Sequence, residues 1–341
     1  MALDRYSKLL LNNNKELRNR VVVPPMASET ATIQGFVTET TLTHYNNLAE
    51  SGAGLVMVEY SFVHESGRSE ENQLGVNQDE QIEGLSKIAN LIHQKGSLAG
   101  LQLTHAGGKT TRDLASGYLM TPSPVSVPVK DQQLEIGDPM GLSEIDIWKK
   151  SFLNAAVRGA KAGFDIIELH AAHGYGLNQW LSAITNLRTD QYGGNLLNRA
   201  RLLFEIITEI KKALPKIIIA VRMPGQDFLE DGLSIDDTCV IAQELQRLGV
   251  AIIDVSSGIG GWRRPKERRG EGYLVAEAEQ IQKAVSIPVI GVGGIENGSF
   301  IDDAVNTNKL SLAAVGRAIL KSPQQWGQDH LPNQKEYYEH K

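Results

Sequence analysis

The sequence contains very little cysteine: Cys239 is the only one among 341 residues. A single cysteine cannot form an internal disulfide, and it cannot supply the thiolates of a cysteine-rich zinc site or of an iron–sulfur cluster. These three kinds of site are therefore excluded before any motif is considered.

Long apolar runs and an excess of basic residues are also missing. No stretch reaches about 18 consecutive apolar residues, so no transmembrane helix is expected. The only apolar cluster near the N-terminus, Leu9–Leu11, is too short for a secretory signal. The 34 Lys and Arg are outnumbered by 40 Asp and Glu, and this balance disfavours nucleic-acid binding. We expect a soluble cytoplasmic protein that binds neither membrane nor nucleic acid.

What is abundant is a repeating pattern of short apolar runs separated by helix-length amphipathic segments. Each run is apolar on both faces, as in buried parallel strands. The eight runs are Val21–Val23, Leu55–Val58, Leu98–Leu103, Ile166–Leu169, Ile217–Val221, Ala251–Val255, Pro288–Val292 and Leu312–Val315. The alternation predicts an α/β fold, a TIM (β/α)8 barrel forming a single domain over 1–341. A doubly wound sheet is the alternative.

Two features refine this prediction. Ser143 and Ser234 each precede a helical segment with acidic residues in its first turn, so both are predicted N-caps. The segment 107–142, which follows the third strand, is rich in Gly, Pro, Ser and Thr and has no helical periodicity. Because catalysis in these barrels takes place at the carboxyl ends of the strands, this excursion is predicted to cap the barrel mouth.

The fourth strand is followed by two histidines and a tyrosine, His170, His173 and Tyr175. Histidines three residues apart share a face of a helical turn, so two N–H groups could bind one substrate oxygen. Tyr175 would add a proton donor. The alternatives are two histidines satisfied by the backbone, or a zinc site, for which no third ligand is evident. No metal site is predicted.

Buried polar residues at other strands indicate a flat polar ligand. Gln102 in the third strand and Arg222 in the fifth strand both need partners in an apolar setting. They could bind the edge of a heterocycle. Alternatively, Gln102 is a satisfied core residue and Arg222 forms an ion pair with Glu168 or Asp254.

The seventh and eighth strands end in glycines: Gly293 and Gly294 follow one, and Gly316 and Arg317 follow the other. Barrels of this kind often bind phosphate at this point, through backbone N–H groups. No glycine fingerprint of a Rossmann domain follows the first strand. A phosphate, a polar ring and a reactive face together describe flavin mononucleotide (FMN) better than a sugar phosphate.

Several stretches resemble the Old Yellow Enzyme family of FMN-dependent NAD(P)H oxidoreductases, over about residues 1–325. They are Asn19–Met26, Gln102–Gly107, Glu168–Tyr175 and Asn186–Gly194, with Asn198–Arg199 after the last. The resemblance implies that His170 and His173 bind the substrate's activating oxygen and that Tyr175 donates a proton.

For the cofactor, the resemblance implies FMN, with NAD(P)H as the reductant. Pro25, Met26 and Ala27 would line the flavin, Gln102 and Arg222 would bind its edge, and Gly293, Gly294, Gly316 and Arg317 would bind its phosphate. It also implies a homo-oligomer that reduces activated C=C bonds such as those of enones, and nitro compounds as a further class.

The chain departs from the family pattern near the flavin. Ala27 stands where many members have Thr or Cys, which puts the flavin potential in question. Ser28–Thr30 lacks a tyrosine that contacts substrate in shorter members, and Tyr60 is predicted to replace it as an aromatic wall. The solitary cysteine excludes the branch that carries an iron–sulfur cluster.

Other functions stay open on the sequence alone. One is a flavin-free barrel lyase or isomerase for a phosphorylated substrate, and another is a flavin carrier or sensor without turnover. Dihydrouridine synthase and dihydroorotate oxidase are other FMN barrels, but neither fits the charge and the histidine pair. The basic run from Arg263 to Arg269 is interpreted either as a phosphate-attracting loop or as a solvated loop balanced by Glu267 and Glu271.

Overall fold

The computed structural model describes residues 2–332 and places eight parallel strands in a closed barrel. The strands are β1 Val21–Val23, β2 Leu55–Phe62, β3 Leu98–Thr104, β4 Ile166–His170, β5 Ile218–Pro224, β6 Ile252–Ser256, β7 Val289–Gly291 and β8 Leu312–Ala314. Each strand pairs with the next along the chain, and β8 pairs with β1. The predicted TIM barrel is confirmed, and the doubly wound sheet is wrong.

Helices cover the outside of the barrel. They are α1 Glu39–Ala49, α2 Ile82–Gln94, α3 Leu142–Lys161, α4 Gly176–Leu181, α5 Leu196–Ala213, α6 Ile235–Arg247, α7 Val275–Ala284, α8 Gly298–Asn306, α9 Arg317–Lys321 and α10 Pro323–His330. Their apolar faces pack on the outward side chains of the strands in one large core, which includes Ile88, Phe152 and Ile206. Among the helices of residues 2–332, none has the length and apolar character to cross a membrane.

A second, smaller apolar cluster fills the lower part of the barrel. Leu55, Ile166 and Ile218 belong to it, and so do Leu11 and Leu17 from the N-terminal segment. That segment forms a short antiparallel hairpin, in which Leu9–Leu10 pairs with Glu16–Leu17. The amino end of the barrel is therefore a packed floor, and ligand chemistry is confined to the opposite end.

Two local predictions have different outcomes. Ser234 caps α6, accepting a hydrogen bond from the Asp237 N–H, as predicted. Ser143 does not cap α3, because that helix already begins at Leu142 with Gly141 at the cap position. There the Glu144 carboxylate accepts the Gly141 N–H at 2.9 Å, so a side chain from inside the first turn supplies the cap.

The segment 107–142 contains only short pieces of strand. Met120–Thr121 pairs with Asp138–Pro139, and Pro128–Val129 pairs with Gln132–Gln133. Arg112 ties the segment together through an ion pair with Asp138 at 2.6 Å. Lys109 near its start donates a hydrogen bond to the His173 carbonyl, which fixes this end of the segment beside the turn that follows β4.

Candidate active site

His170 and His173 lie together at the carboxyl end of β4. His170 is the last residue of the strand and is 2% exposed. His173 sits in the turn with φ = 60°, in the left-handed region that non-glycine residues rarely adopt. Its N–H bonds the Ser257 carbonyl at 2.9 Å, so the loop after β6 helps to hold this unusual backbone.

Hydrogen bonds connect the two imidazoles and assign their tautomers. The Ala172 N–H donates to His170 Nδ1 at 3.4 Å, which leaves the proton on Nε2. His170 Nε2 lies 3.2 Å from His173 Nδ1, and His173 Nε2 lies 2.6 Å from Ser256 Oγ. Burial, with the charges of Arg222 and Lys109 nearby, lowers the pKa of both histidines well below the usual value. Both rings are therefore neutral N–H donors at neutral pH.

Two tyrosines stand beside this pair. The Tyr175 ring centroid is 5.2 Å from that of His170, and the Tyr60 ring stacks on Tyr175 at 5.4 Å. Burial raises the pKa of both phenols, so each keeps its proton at neutral pH. The structure thus brings all four predicted reactive-face residues into one cluster.

Lys109 belongs to the same cluster, although no sequence pattern singled it out. Its ammonium donates to the His173 carbonyl at 2.7 Å and lies 4.6 Å from the centre of the Tyr175 ring. Burial lowers the pKa of Lys109. A lysine five residues beyond the end of a strand, in an irregular segment, is too common to be singled out from the sequence. Only the path of that segment brings Lys109 to the mouth.

Gln102 and Arg222 lie inside the barrel, each beside a carboxylate. Gln102 Nε2 donates to Glu168 Oε1 at 2.8 Å, and Arg222 Nε lies 3.1 Å from Asp254 Oδ2. The predicted ion pair of Arg222 with Asp254 is therefore present. It is close enough for charge attraction but is not aligned as a hydrogen bond.

This buried cluster is incompletely paired. Glu168 Oε2 and Asp254 Oδ1 are both buried without a hydrogen-bond partner. Burial and the charge of Asp254 raise the pKa of Glu168 well above its usual value, and burial also raises the pKa of Asp254. Buried polar atoms of this kind are costly unless a ligand or water satisfies them, so the cluster suits a polar ligand.

The loop after β1 is held from below by a buried carboxylate that the sequence did not reveal. Glu59 accepts the Ser28 N–H at 3.1 Å, the Ser28 hydroxyl at 2.5 Å and the Tyr45 hydroxyl at 3.0 Å. Pro25 is buried, Met26 is half-buried and Ala27 is exposed. Arg222 Nη1 reaches the Pro25 carbonyl at 3.5 Å, which links this loop to the polar cluster.

A cavity of about 160 Å³ lies at the carboxyl ends of β7 and β8, lined by Met26, Tyr273, Gly294, Gly316 and Arg317 among others. At Gly293, φ is 130°, and a Cβ there would lie 2.8 Å from the Leu274 nitrogen. The Arg317 guanidinium lies beside Gly294, where an added Cβ would be 3.3 Å from Nη2. Gly316 occupies the N-cap position of α9, where no side chain covers the backbone. Open backbone and a cation fit a phosphate group.

A wider cleft of about 400 Å³ opens between the capping segment and the loop after β6. Val129 and Lys130 form one wall, Ile259 and Trp262 form the other, and His173 lines it with Lys109. His173, the outer imidazole of the pair, therefore lines a cleft wide enough for a small molecule, whereas His170 lies behind it.

The basic run is partly structural. Arg268 pairs with buried Glu277 at 2.5 Å, and Arg264 stacks on Tyr273 at 4.1 Å. Glu271 does not balance the run as the solvated-loop interpretation proposed, because its carboxylate accepts the N–H groups of Glu296 and Asn297. Arg263, Lys266 and Arg269 are exposed.

Metal ligation was the alternative use of the histidine pair. Within residues 2–332, no group of three or more His, Cys, Asp and Glu side chains is arranged to hold a metal ion. The two imidazoles contact each other and Ser256, a residue type that is not a usual ligand of zinc.

Known proteins resemble this chain in sequence and in fold. The sequence model of the NADH:flavin oxidoreductase / NADH oxidase family matches residues 10–328. An NADPH dehydrogenase of Bacillus pumilus is 37% identical over 308 residues, which are 90% of this chain and 88% of that protein.

Two solved structures show the same fold. An old yellow enzyme homologue from Zymomonas mobilis superposes with a TM-score of 0.82 at 21% identity, covering 96% of this chain and 93% of that one. A 2-naphthoyl-CoA reductase superposes with a TM-score of 0.89 at 21% identity. There the match covers 96% of this chain but only 52% of the reductase. The chain belongs to the NADH:flavin oxidoreductase / NADH oxidase family, the Old Yellow Enzyme family, and is an FMN-dependent NAD(P)H oxidoreductase.

Proposed function

We propose that this oxidoreductase reduces electron-poor C=C bonds, with enones as the main substrate class and nitro compounds as a second. The observation that carries the proposal is the pair of neutral imidazoles at the end of β4. The centre of the Tyr175 ring lies 5.2 Å from the centre of the His170 ring. Two N–H donors beside a proton donor suit a substrate that gains a hydride at one carbon and a proton at the next.

The cofactor would be held by residues from five strand ends. Gln102 and Arg222 would bind the polar edge of the flavin, and their carboxylate partners have unpaired oxygens that the ligand's N–H group can help to satisfy. Pro25, Met26 and Ala27 would line the ring, while Gly293, Gly294, Gly316 and Arg317 would bind the phosphate. FMN, when bound, supplies the hydride chemistry that connects NAD(P)H to the alkene.

The protein's contribution is to orient and polarise the substrate. His170 and His173 would donate to its carbonyl or nitro oxygen, where negative charge develops as the alkene is reduced. Being neutral, the imidazoles polarise this oxygen without giving up a proton. Without substrate, His170 Nε2 lies 3.2 Å from His173 Nδ1 and His173 Nε2 lies 2.6 Å from Ser256 Oγ, so both N–H groups would exchange these partners for the substrate oxygen.

Tyr175 would supply the proton to the α-carbon. Because burial raises its pKa, the phenol is protonated when the substrate arrives. Tyr60, stacked on Tyr175, would form an aromatic wall against a flat substrate. The flavin-free lyase or isomerase is not supported, because the family of this chain is FMN-dependent.

A substrate panel tests the proposal directly. The purified FMN-loaded protein is reduced with NADPH or NADH without oxygen, and then mixed with enones, nitroalkenes, nitrate esters or quinones. We expect enones to restore the oxidised flavin spectrum and to yield the saturated ketone. Reoxidation by quinones but by no activated alkene would contradict the proposed substrate class.

A further inference from the structure

The loop 24–30, which follows β1, carries the residues that would line the flavin, yet its own backbone does little to hold it in place. Within residues 2–332, the backbone of 25–30 forms no hydrogen bond with another backbone group. The first half of the loop touches the cofactor site, because Met26 lines the cavity at β7 and β8 and the Pro25 carbonyl lies 3.5 Å from Arg222 Nη1. The position of the second half therefore depends on bonds to side chains.

Glu59 of β2 supplies two of these bonds, both to the same residue. Its carboxylate accepts the Ser28 N–H on Oε2 at 3.1 Å and the Ser28 hydroxyl on Oε1 at 2.5 Å. The Ser28 N–H belongs to the peptide group that also contains the Ala27 carbonyl, and a planar trans peptide points these two groups in opposite directions. Glu59 therefore fixes the direction of the Ala27 carbonyl as well as the place of Ser28.

Glu59 is itself held by α1. The Tyr45 hydroxyl donates to Glu59 Oε1 at 3.0 Å and accepts the Glu59 N–H at 2.9 Å. Both side chains are buried, so water does not compete for these bonds, and a hydrogen bond in a buried site is electrostatically stronger than one in water. One buried side chain thus joins the loop to the wall of the barrel.

The loop needs such an anchor beside Ala27. The methyl side chain of Ala27 has no donor or acceptor, so this residue cannot fix itself through a hydrogen bond. Further along, the hydroxyl oxygens of Ser28 and Thr30 lie 2.8 Å apart, and the Thr30 carbonyl accepts the Thr38 hydroxyl at 2.7 Å. These bonds tie the end of the loop to the N-cap of α1, whereas Glu59 acts on the residue directly next to Ala27.

We propose that Glu59 is a positioning residue for the flavin, which sets the affinity for FMN by holding the loop 24–30 through Ser28. This inference rests on the proposed function, in which Pro25, Met26 and Ala27 line the flavin. Both Glu59 oxygens are occupied by Ser28 and Tyr45, so Glu59 acts through the loop. A loop that is fixed before the ligand arrives loses less conformational freedom on binding, and this raises affinity.

The test compares Glu59→Met and Ser28→Ala with Tyr45→Phe as the matched control. Glu59→Met keeps the length of the side chain and removes both acceptor oxygens, and Ser28→Ala removes one of the two bonds to the loop. Tyr45→Phe removes buried hydrogen bonds on the α1 side of Glu59 and leaves the bonds to Ser28 in place. The Kd of FMN is measured by equilibrium dialysis of each loaded enzyme, and stability by urea unfolding at a fixed excess of FMN.

We expect the Kd of FMN to rise about tenfold or more in Glu59→Met and about threefold in Ser28→Ala, and to stay within about twofold of the wild type in Tyr45→Phe. Tyr45→Phe should nevertheless unfold at a lower urea concentration, because the buried Glu59 N–H loses its acceptor. In the double variant, Ser28→Ala should add little to Glu59→Met, because both substitutions remove the same contact.

A merely structural role predicts instead that FMN affinity follows stability, so that Tyr45→Phe weakens FMN binding at least as much as Ser28→Ala. That result, additive effects in the double variant, or a wild-type Kd in both Glu59→Met and Ser28→Ala overturns the inference. If Glu59→Met does not fold, the comparison of Ser28→Ala with Tyr45→Phe decides alone. The proposed function fails separately, if no activated alkene reoxidises the reduced wild type, whatever the Kd values of the variants are.

Discussion

Two buried carboxylates differ in how completely their oxygens are paired: Asp165 on the floor of the barrel and Glu168 nearer its mouth. Asp165, just before β4 on the floor side, receives Lys15 at 2.7 Å, His93 at 2.7 Å and the Ala99 N–H at 2.9 Å. These partners lower its pKa in spite of its burial. Three residues further toward the mouth, inside β4, the Glu168 carboxylate bonds only Gln102, and its second oxygen has no partner.

The difference shows where the molecule is built for stability and where it is built for chemistry. Both Asp165 carboxylate oxygens have partners within the protein, so the floor needs no ligand to satisfy its polar groups. Glu168 and Asp254 share Arg222 and each keep an unpaired oxygen, so the mouth is complete only when something polar enters. Barrels of this type place stability at the amino end of the strands and catalysis at the carboxyl end.

The largest effect is expected from the double substitution His170→Ala with His173→Ala in the mouth. Loss of one donor of this type costs about 2.7–4 kcal/mol of transition-state stabilisation, a factor of about 10²–10³ in rate. Enone reduction should therefore nearly vanish, while the yellow flavin stays bound. If this variant reduced cyclohexenone like the wild type, the mouth would lose its assigned role.

Asp165→Ala on the floor should have the opposite effect, lowering stability and leaving activity unchanged. It leaves the buried Ala99 N–H unpaired, which costs about 1–3 kcal/mol, and it removes the ion pair with Lys15 and the contact with His93, which contribute about 0–1 kcal/mol each. We expect denaturant unfolding to show a loss of about 2–3 kcal/mol, with kcat for the folded enzyme unchanged.

The exposed Asp113→Ala serves as the control for the floor, because Asp113 is a surface residue of the capping segment. Its unfolding free energy should stay within about 0.5 kcal/mol of the wild type. If Asp165→Ala and Asp113→Ala lost the same free energy of unfolding, the paired carboxylate of the floor would have no special role in stability.

The pH dependence of stability should have opposite signs at the two ends. The pKa of Asp165 is lowered by folding, so its contribution is present above the ordinary Asp pKa of about 3.9 and is lost as the pH falls through its folded value. The pKa of Glu168 is raised by folding. Between about pH 4.3 and that raised pKa the folded protein holds the extra proton, so stability falls as the pH rises, by up to about 1.4 kcal/mol per unit.

Glu168→Gln tests this directly, since it keeps the shape and removes the titration. Its unfolding free energy relative to the wild type, measured at a fixed excess of FMN, should increase from about pH 5 to pH 8. The difference between Asp165→Ala and the wild type should instead shrink only below about pH 4. If the unfolding free energy of Glu168→Gln relative to the wild type did not change with pH over this range, Glu168 would not contribute the predicted pH dependence.

The smallest effect is expected from Ala27→Cys, which adds a thiol to the exposed end of the loop after β1. Exposed substitutions change stability by about 0.5 kcal/mol or less. If Ala27 lines the flavin, the thiol should nevertheless shift the visible spectrum and midpoint potential of bound FMN. The neighbouring exposed Glu29→Gln is the matched control, and equal spectra for both variants and the wild type would place position 27 away from the ring.

Much of the fold was readable from the sequence, because buried parallel strands are apolar on both faces. All eight strands lie where the apolar runs predicted them. Two strands run well beyond their predicted ends: β2 continues from Val58 to Phe62 with a shift in register, and β5 continues from Val221 to Pro224. Glu59, Tyr60 and Ser61 interrupt the apolar pattern of β2, so the pattern missed the last four residues of that strand.

The candidate site was readable only where polar residues stand at strand ends. Gln102, His170 and Arg222 follow from position alone, because an unpaired polar residue in an apolar strand needs a partner. Ser256 and Glu59 lie in strands too, but their roles depend on which neighbour the barrel brings to them. Lys109 lies in a loop, where polar residues are ordinary and carry no signal.

The sequence by itself determined the barrel, the cluster at the end of β4 and the glycine site at β7 and β8, since these depend on local pattern and on chain order. Only the tertiary structure decided the partners: His173 with Ser256, Arg222 with Asp254, and the Tyr175 ring with the Tyr60 ring. The physical reason is the distance along the chain over which each kind of interaction acts. Strand patterns are set by neighbours along the chain, whereas hydrogen bonds and ion pairs join residues that only closure of the barrel and the course of its loops bring together.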